Sequence, residues 1–270
     1  MQMNPGAEPP SDKLRLYAFH CGTERSDWAV FDPFDERVGE KILSPYFLYL
    51  VSHPKGWVLI DTGLHRALRT DPRAYLGDMA DAFFVERLDE SDDVVAKLAS
   101  VGLEPADIRH VVQTHLHFDH AGGLQYFPHA TIYVQASELP FAYWPPVYQR
   151  GLFQKADFDH PLQWKELTGD YDLFGDGRIL LFPTPGHTPG HQSVMLKLDS
   201  GTVILMADAH YLIEKMRERL LPSVVWSPDA MVASWLRIEE LEARHDAHLV
   251  STHDLEYETR VKLAPEAWYE

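Results

Sequence analysis

The feature that most constrains this chain is a series of short apolar runs, several of which end beside a side chain able to bind metal. "LRLYAF" (14–19), "YFLYLV" (46–51), "WVLID" (57–61), "HVVQT" (110–114), "ATIYVQ" (130–135), "RILLFPT" (178–184), "SVMLKL" (193–198), "TVILMAD" (202–208) and "AHLVST" (247–252) are rich in β-branched or aromatic residues and bounded by Gly, Pro or Asp. That pattern predicts strands. Asp208 closes one run, His253 follows another, His187 lies just beyond a third in "FPTPGHTPGHQ", and "HVVQT" leads directly into "HLHFDH". Where strand ends meet along one edge of a layered domain, ligands converge.

Two segments read as helices. "SDDVVAKLASVGL" opens with a serine cap at Ser91 and an acidic first turn, then runs apolar at helical spacing to Gly102. "SPDAMVASWLRIEELEARH" has Ser227 before a proline and sets Met231, Trp235, Ile238 and Leu241 along one face. "VSHPKGWVLID" predicts a hairpin through Pro54, Lys55 and Gly56. Strands interleaved with helices imply an α/β layered domain. The 270 residues suffice for one large core. With no long linker or repeat, residues 14–270 are expected to form a single domain behind a loose, proline-rich tail at 1–13. Two aromatic-rich stretches broken by Gly or Pro, 63–90 and 139–153, fit the scheme poorly. Such stretches either pack onto the body or line a pocket or interface.

Composition narrows the function. A net charge of −17 repels phosphate backbones and anionic membranes, so neither nucleic acid nor a membrane is an expected partner, and neutral or small substrates are favoured. No stretch approaches the roughly 18–20 apolar residues of a membrane span. The polar start shows no apolar signal region, and the expectation is a cytoplasmic protein. Cys21 is the only cysteine, which excludes an internal disulfide and a thiolate metal cluster.

His115, His117, Asp119 and His120 crowd four potential ligands into six positions. A histidine-rich turn that merely satisfies its own hydrogen bonds would explain one of them, not four. His115 and His117 lie two apart, so an extended backbone points them the same way and turns Phe118 toward the body. Asp119 and His120 fall where the chain turns toward Ala121, Gly122 and Gly123. With His187, Asp208 and His253 the set reaches seven groups, too many for one tetrahedral ion. It suits two ions bridged by a carboxylate and a water. Imidazole and carboxylate accept Zn, Fe, Co or Mn, with zinc the first expectation.

The HxHxDH loop, the downstream His, the strand-ending Asp and the final His together resemble the metallo-β-lactamase superfamily, over nearly the whole chain from about Leu14. The resemblance implies a four-layer αβ/βα sandwich with the site at one edge between two sheets. It assigns His115, His117 and His187 to a first metal, Asp119, His120 and His253 to a second, and Asp208 to both. Asp61 in "IDTG" matches an early Asp that supports ligands rather than binding metal. The competing role for Asp61 is a turn cap over Gly63.

Within that superfamily the sequence departs from several branches. His117 stands where flavodiiron-type members place Glu, and Asp208 is the bridge that β-lactamases proper lack. Glyoxalase-II-like thioesterases usually carry a helical C-terminal domain. Here 45 positions separate Asp208 from His253 and 17 residues follow, so that domain is not expected. "MADAHY" puts Tyr211 three positions after Asp208, and with "THLHFDHAGG", "TPGHTPGHQS" and "SVVWSPDAM" it resembles the N-acyl homoserine lactonases, which quench quorum sensing. That resemblance implies a metal-dependent lactonase that opens the acyl homoserine lactone ring, with Tyr211 stabilising the oxyanion and Asp119 passing a proton to the leaving alkoxide. Another lactone, ester or thioester hydrolase, 4-pyridoxolactonase-like or glyoxalase-II-like, is the alternative. Phe118, Met79, Phe83, Phe84, Tyr143, Trp144 and Met216 are candidates for an apolar groove around the acyl chain, whose burial is worth roughly 0.8 kcal/mol per CH₂. Residues 63–90 are the candidate interface of a homodimer. His191 is a candidate support for the ligands. His20, His53, His65, His110, His129, His160, His245 and His248 are expected at the surface or in caps.

Overall fold

The structure is a computed structural model and describes residues 13–81, 84–256 and 261–270. Twelve strands and seven α-helices occur among the described residues. The strands are β1 (Arg15–Asp27), β2 (Lys41–His53), β3 (Gly56–Ile60), β4 (Phe84–Arg87), β5 (Ile108–Val112), β6 (Thr131–Gln135), β7 (Gln163–Leu167), β8 (Tyr171–Asp172), β9 (Ile179–Pro183), β10 (Gln192–Leu198), β11 (Gly201–Ala207) and β12 (Ala247–Ser251). The helices are α1 (Pro72–Leu76), α2 (Val94–Ser100), α3 (Phe118–Ala121), α4 (Glu138–Tyr143), α5 (Lys155–Phe158), α6 (Ile213–Arg217) and α7 (Pro228–His245).

The strands form two mixed sheets, ordered β4-β1-β2-β3-β5-β6-β7 and β12-β11-β10-β9-β8. Alternation along the strands explains how they stack. In β2, Phe47, Tyr49 and Val51 face a core shared with Val194, Leu196 and Leu205 of the second sheet. Tyr46, Leu48 and Leu50 face the opposite way, onto Leu98, Leu116 and Phe127. In β10, Met195 points outward onto Trp235 and Ile238 of α7. Period-two burial on both faces of both sheets yields the expected αβ/βα layering.

α7 begins as expected. Ser227 caps it, accepting from the Ala230 N–H at 3.3 Å, and Pro228 occupies the first turn. Its buried stripe is Met231, Trp235, Ile238 and Leu241, and the Trp235 indole donates to the Ala209 carbonyl at 2.6 Å. The start of α2 differs from expectation. Asp93, not Ser91, caps it, accepting from the Val95 N–H at 2.9 Å. A 3₁₀ turn over residues 90–92 occupies the earlier position, because buried Asp92 reaches back to the Asp89 N–H and pairs with Lys97 at 2.9 Å.

The poorly fitting stretches hold short elements. Leu64, Leu68 and Leu76 from the first, and Ala142, Leu152 and Phe153 from the second, pack on the outer face of the first sheet. His53 is buried and takes the capping role of the two expected for it. Its ring stacks on Phe174 with centroids 4.3 Å apart, and its Nδ1 caps the hairpin by accepting from the Lys55 N–H at 3.1 Å.

Direction places the site. β3, β5 and β6 are mutually parallel in the first sheet. In the second, β11 and β12 are parallel, and β9 runs the same way through two antiparallel steps. The residues that follow β5, β9, β11 and β12 therefore meet along one edge of the sandwich. Among the described residues, no helix is long and apolar enough to cross a membrane.

Candidate metal centre

The strand ends bring all seven expected ligand residues together. Their donor atoms form two groups, His115 with His117 and His187, and Asp119 with His120, Asp208 and His253, each within 4.8 Å. In the first, Nδ1 of His117 lies 3.0 Å from Nε2 of His115 and 2.9 Å from Nε2 of His187. In the second, Oδ2 of Asp119 lies 3.5 Å from Nε2 of His120 and 3.6 Å from Nε2 of His253.

Asp208 faces both groups. Its Oδ2 is 3.4 Å from Nε2 of His187 and 3.9 Å from Nε2 of His115. Its Oδ1 is 3.3 Å from Nε2 of His120 and 3.4 Å from Nε2 of His253. One carboxylate thus offers one oxygen to each set of histidines.

Hydrogen bonds behind the rings aim their lone pairs inward. Nδ1 of His120 donates to Oδ2 of Asp61 at 2.8 Å, and Nδ1 of His187 to the Val224 carbonyl at 3.0 Å. Nδ1 of His115 meets the Thr114 hydroxyl at 3.1 Å, and Nδ1 of His253 the Ser44 hydroxyl at 3.3 Å. A partner on Nδ1 leaves Nε2 as the donor atom toward the site. Asp61 also accepts from the Thr114 N–H and hydroxyl, both at 2.8 Å, so it ties the loop after β3 to the ligand loop. The two glycines of "HAGG" permit that approach. A Cβ on Gly122 would sit 2.1 Å from the His65 nitrogen, and one on Gly123 2.7 Å from the Thr62 carbonyl oxygen.

The residues fit divalent metal. Nε2 of His120 is buried without a hydrogen-bond partner. Three imidazole nitrogens crowd together in the first group, where protons cannot serve all three and one cation can. Burial pushes His115, His117 and His187 below the usual histidine value, so they stay neutral as ligands must. Burial also opposes charge on His120, but Asp208, Asp119 and Asp61 outweigh it and raise its pKa well above the usual value. A divalent cation meets the same demand for positive charge.

A cleft opens over the two groups, walled by Phe31, Phe118, Leu152, Val224, Tyr211 and Glu24. The Tyr211 ring stands 5.8 Å from the His187 ring and 5.2 Å from the His253 ring, between centroids. Burial, then Asp208 and Asp119, push its pKa far up, so the hydroxyl keeps its proton and can donate.

The groove candidates scatter. Phe118 lines the cleft wall and is buried. Met79 packs on the first sheet's outer core, and a Cβ on Gly151 would meet its Cγ at 2.3 Å. Tyr143 and Trp144 border a separate surface depression with Arg150 and Phe153. Met216 does not line the cleft. It is fully buried with Trp235 and Met231, because α6 turns that face inward. Phe83 lies outside the described residues, and only the backbone of Phe84 is described.

Three polar residues outside both groups bear on the site. Nε2 of His191 accepts the Asp208 N–H at 3.1 Å, while its Nδ1 meets the Thr184 hydroxyl at 2.9 Å. Glu138, buried in α4, accepts from the Leu116 N–H at 2.9 Å, the Thr188 hydroxyl at 2.6 Å and the Gly190 N–H at 3.1 Å. It joins the His115–His117 loop to the His187 loop. Glu24 lines the cleft itself. For His191 and Glu138 the only sequence signal is polarity beside an apolar run, and Glu24, within the polar string GTERS, has none.

The family described as the metallo-β-lactamase superfamily matches residues 44–252. The N-acyl homoserine lactonase AttM of Agrobacterium fabrum is 37% identical over 259 residues, covering 94% of this chain and 98% of that protein. The N-acyl homoserine lactonase AiiA of Bacillus thuringiensis subsp. kurstaki is 30% identical over 229 residues, covering 84% and 88%. A solved N-acyl homoserine lactone hydrolase, with the product N-hexanoyl-L-homoserine bound at its catalytic metal centre, superposes with a TM-score of 0.85 at 27% identity, covering 94% and 98%. This chain belongs to the metallo-β-lactamase superfamily and, within it, to the N-acyl homoserine lactonases.

Proposed function

We propose that this protein hydrolyses the ring ester of N-acyl homoserine lactones at a dinuclear metal centre, zinc being the metal that best suits its nitrogen and oxygen donors. The observation that carries this reading is Asp208, whose two oxygens each face one group of histidines. His115, His117 and His187 would hold one ion, and Asp119, His120 and His253 the other, with Asp208 shared. When bound, such a pair supplies Lewis acidity and an activated water at neutral pH.

The rest is the work of the chain. Water adds to the lactone carbonyl carbon, the bond to the ring oxygen breaks, and the water's proton ends on that oxygen as a hydroxyl. Tyr211 donates its hydroxyl hydrogen bond to the carbonyl oxygen as negative charge builds there. Asp119, partly exposed at the cleft, carries the proton on Oδ2 toward the leaving oxygen. Asp61 and His191 hold His120 and Asp208 in register. Phe31, Phe118, Leu152 and Val224 keep the reacting bond among apolar walls. A neutral lactone suits a surface of charge −17.

The test compares three substrates with metal-loaded protein: N-hexanoyl homoserine lactone, S-lactoylglutathione and nitrocefin. The lactone is expected to have by far the largest kcat/KM. The reverse ranking contradicts the assignment.

A further inference from the structure

Glu24 is a carboxylate at the cleft that belongs to neither group of donors. It is 4% exposed and lines the cleft with Asp119, Tyr211 and His253. A break in strand register puts it there. Up to His20, even-numbered residues of β1 pair with odd-numbered residues of β2, as His20 does with Phe47. Beyond the irregularity between His20 and Thr23, even pairs with even, Glu24 with Ser44 and Ser26 with Ile42. A one-residue shift turns a side chain to the other face of a strand. Glu24 thereby shares a face with Ser44, which touches Nδ1 of His253, and with Tyr46, whose ring stands 5.5 Å from that of His253.

Its own partners are weak for a buried charge. The Tyr46 hydroxyl donates to Oε2 at 2.5 Å and the Ser26 hydroxyl donates to Oε1. Among the described residues, no lysine or arginine pairs with it. His253 offsets part of the cost of burying Glu24, but its hydrogen bonds come only from neutral hydroxyls, and each oxygen retains a lone pair. The substrate supplies the missing complement. An N-acyl homoserine lactone has one N–H, on the amide beside the lactone carbonyl, and its other polar atoms only accept. The remaining carboxylates of the cleft, Asp119 and Asp208, sit among the metal-binding donors.

We infer that Glu24 is a specificity-determining residue that accepts the substrate's amide N–H, so that the cleft favours acylamido lactones over plain alkyl lactones. The inference rests on the lactonase reading. A site built around a substrate N–H discriminates against the analogue that lacks it, because its own polar group is then left unpaired.

The experiment measures kcat/KM for N-hexanoyl homoserine lactone and for α-heptyl-γ-butyrolactone, which keeps the ring and an apolar tail on the same carbon but has no amide. Metal-loaded wild type, Glu24→Ala and Glu24→Gln are compared, with metal content read alongside. The expected result is that the preference for the amide substrate falls about ten- to hundredfold in Glu24→Ala. A smaller fall is expected in Glu24→Gln, which keeps a carbonyl acceptor. Should the alanine variant not fold, a fall of more than threefold in Glu24→Gln supports the inference. A preference within threefold of wild type in every variant that folds overturns it and leaves the lactonase reading intact. A wild type that opens neither lactone overturns both.

Discussion

Nε2 of His191 accepts the backbone N–H of Asp208 at 3.1 Å, so the carboxylate facing both histidine groups is anchored from behind by a histidine that lies outside both. Burial pushes His191 down to about 3, which keeps that ring neutral and able to accept. His191→Ala should weaken metal binding about 10- to 100-fold, the usual cost of losing a group that orients a ligand. Competition against a chromophoric chelator reads the affinity, and an unchanged value would make His191 a packing residue only.

Asp208→Asn removes the charge that both histidine groups share. Metal content should fall below two ions per chain, and activity should fall with it. Elemental analysis after dialysis measures the first. Full activity with two retained ions would defeat the bridging role.

Tyr211→Phe keeps the ring packed against Phe31, 5.6 Å away between centroids, and deletes only the hydroxyl. Metal content should stay constant while kcat drops by about 10²- to 10³-fold, as for loss of one oxyanion donor. Loss of metal in this variant would make the hydroxyl structural.

Asp157 gives a pH signature unrelated to metal. It is buried in α5, and the Tyr75 hydroxyl reaches both its oxygens at 2.6 Å. Burial raises its pKa from 3.8 to about 8. Between about pH 4 and 8 its folded form therefore holds a proton that the unfolded chain has already given up near pH 4. By linkage, stability declines as pH rises through that window and levels off above it. Asp157→Asn keeps an acceptor for Tyr75 and should flatten this slope in urea melts between pH 5 and 8. An equal slope in both proteins would show that Asp157 folds in its ionised form.

The strand ends were legible because burial and chemistry coincide there. An apolar run that stops at a His or Asp marks both a buried strand and the edge where it terminates, and the runs before His115, Asp208 and His253 lie in β5, β11 and β12. α7 was legible from Ser227 and Pro228. β7 was not. It is an edge strand with little buried surface, so "QWKEL" carries no apolar signal. Met216 was misplaced because α6 is five residues long, too short for a periodicity to show which face turns inward. Glu24 was invisible for a different reason. Its orientation depends on a register shift between two strands, which no local pattern records.

The proposed activity depends most directly on two ions, not one, making the active centre. Metal-free protein titrated with zinc, while hydrolysis of N-hexanoyl homoserine lactone is followed, tests it directly. The account predicts that activity rises to a plateau at two equivalents per chain. A plateau at one equivalent, or activity independent of added metal, would contradict it.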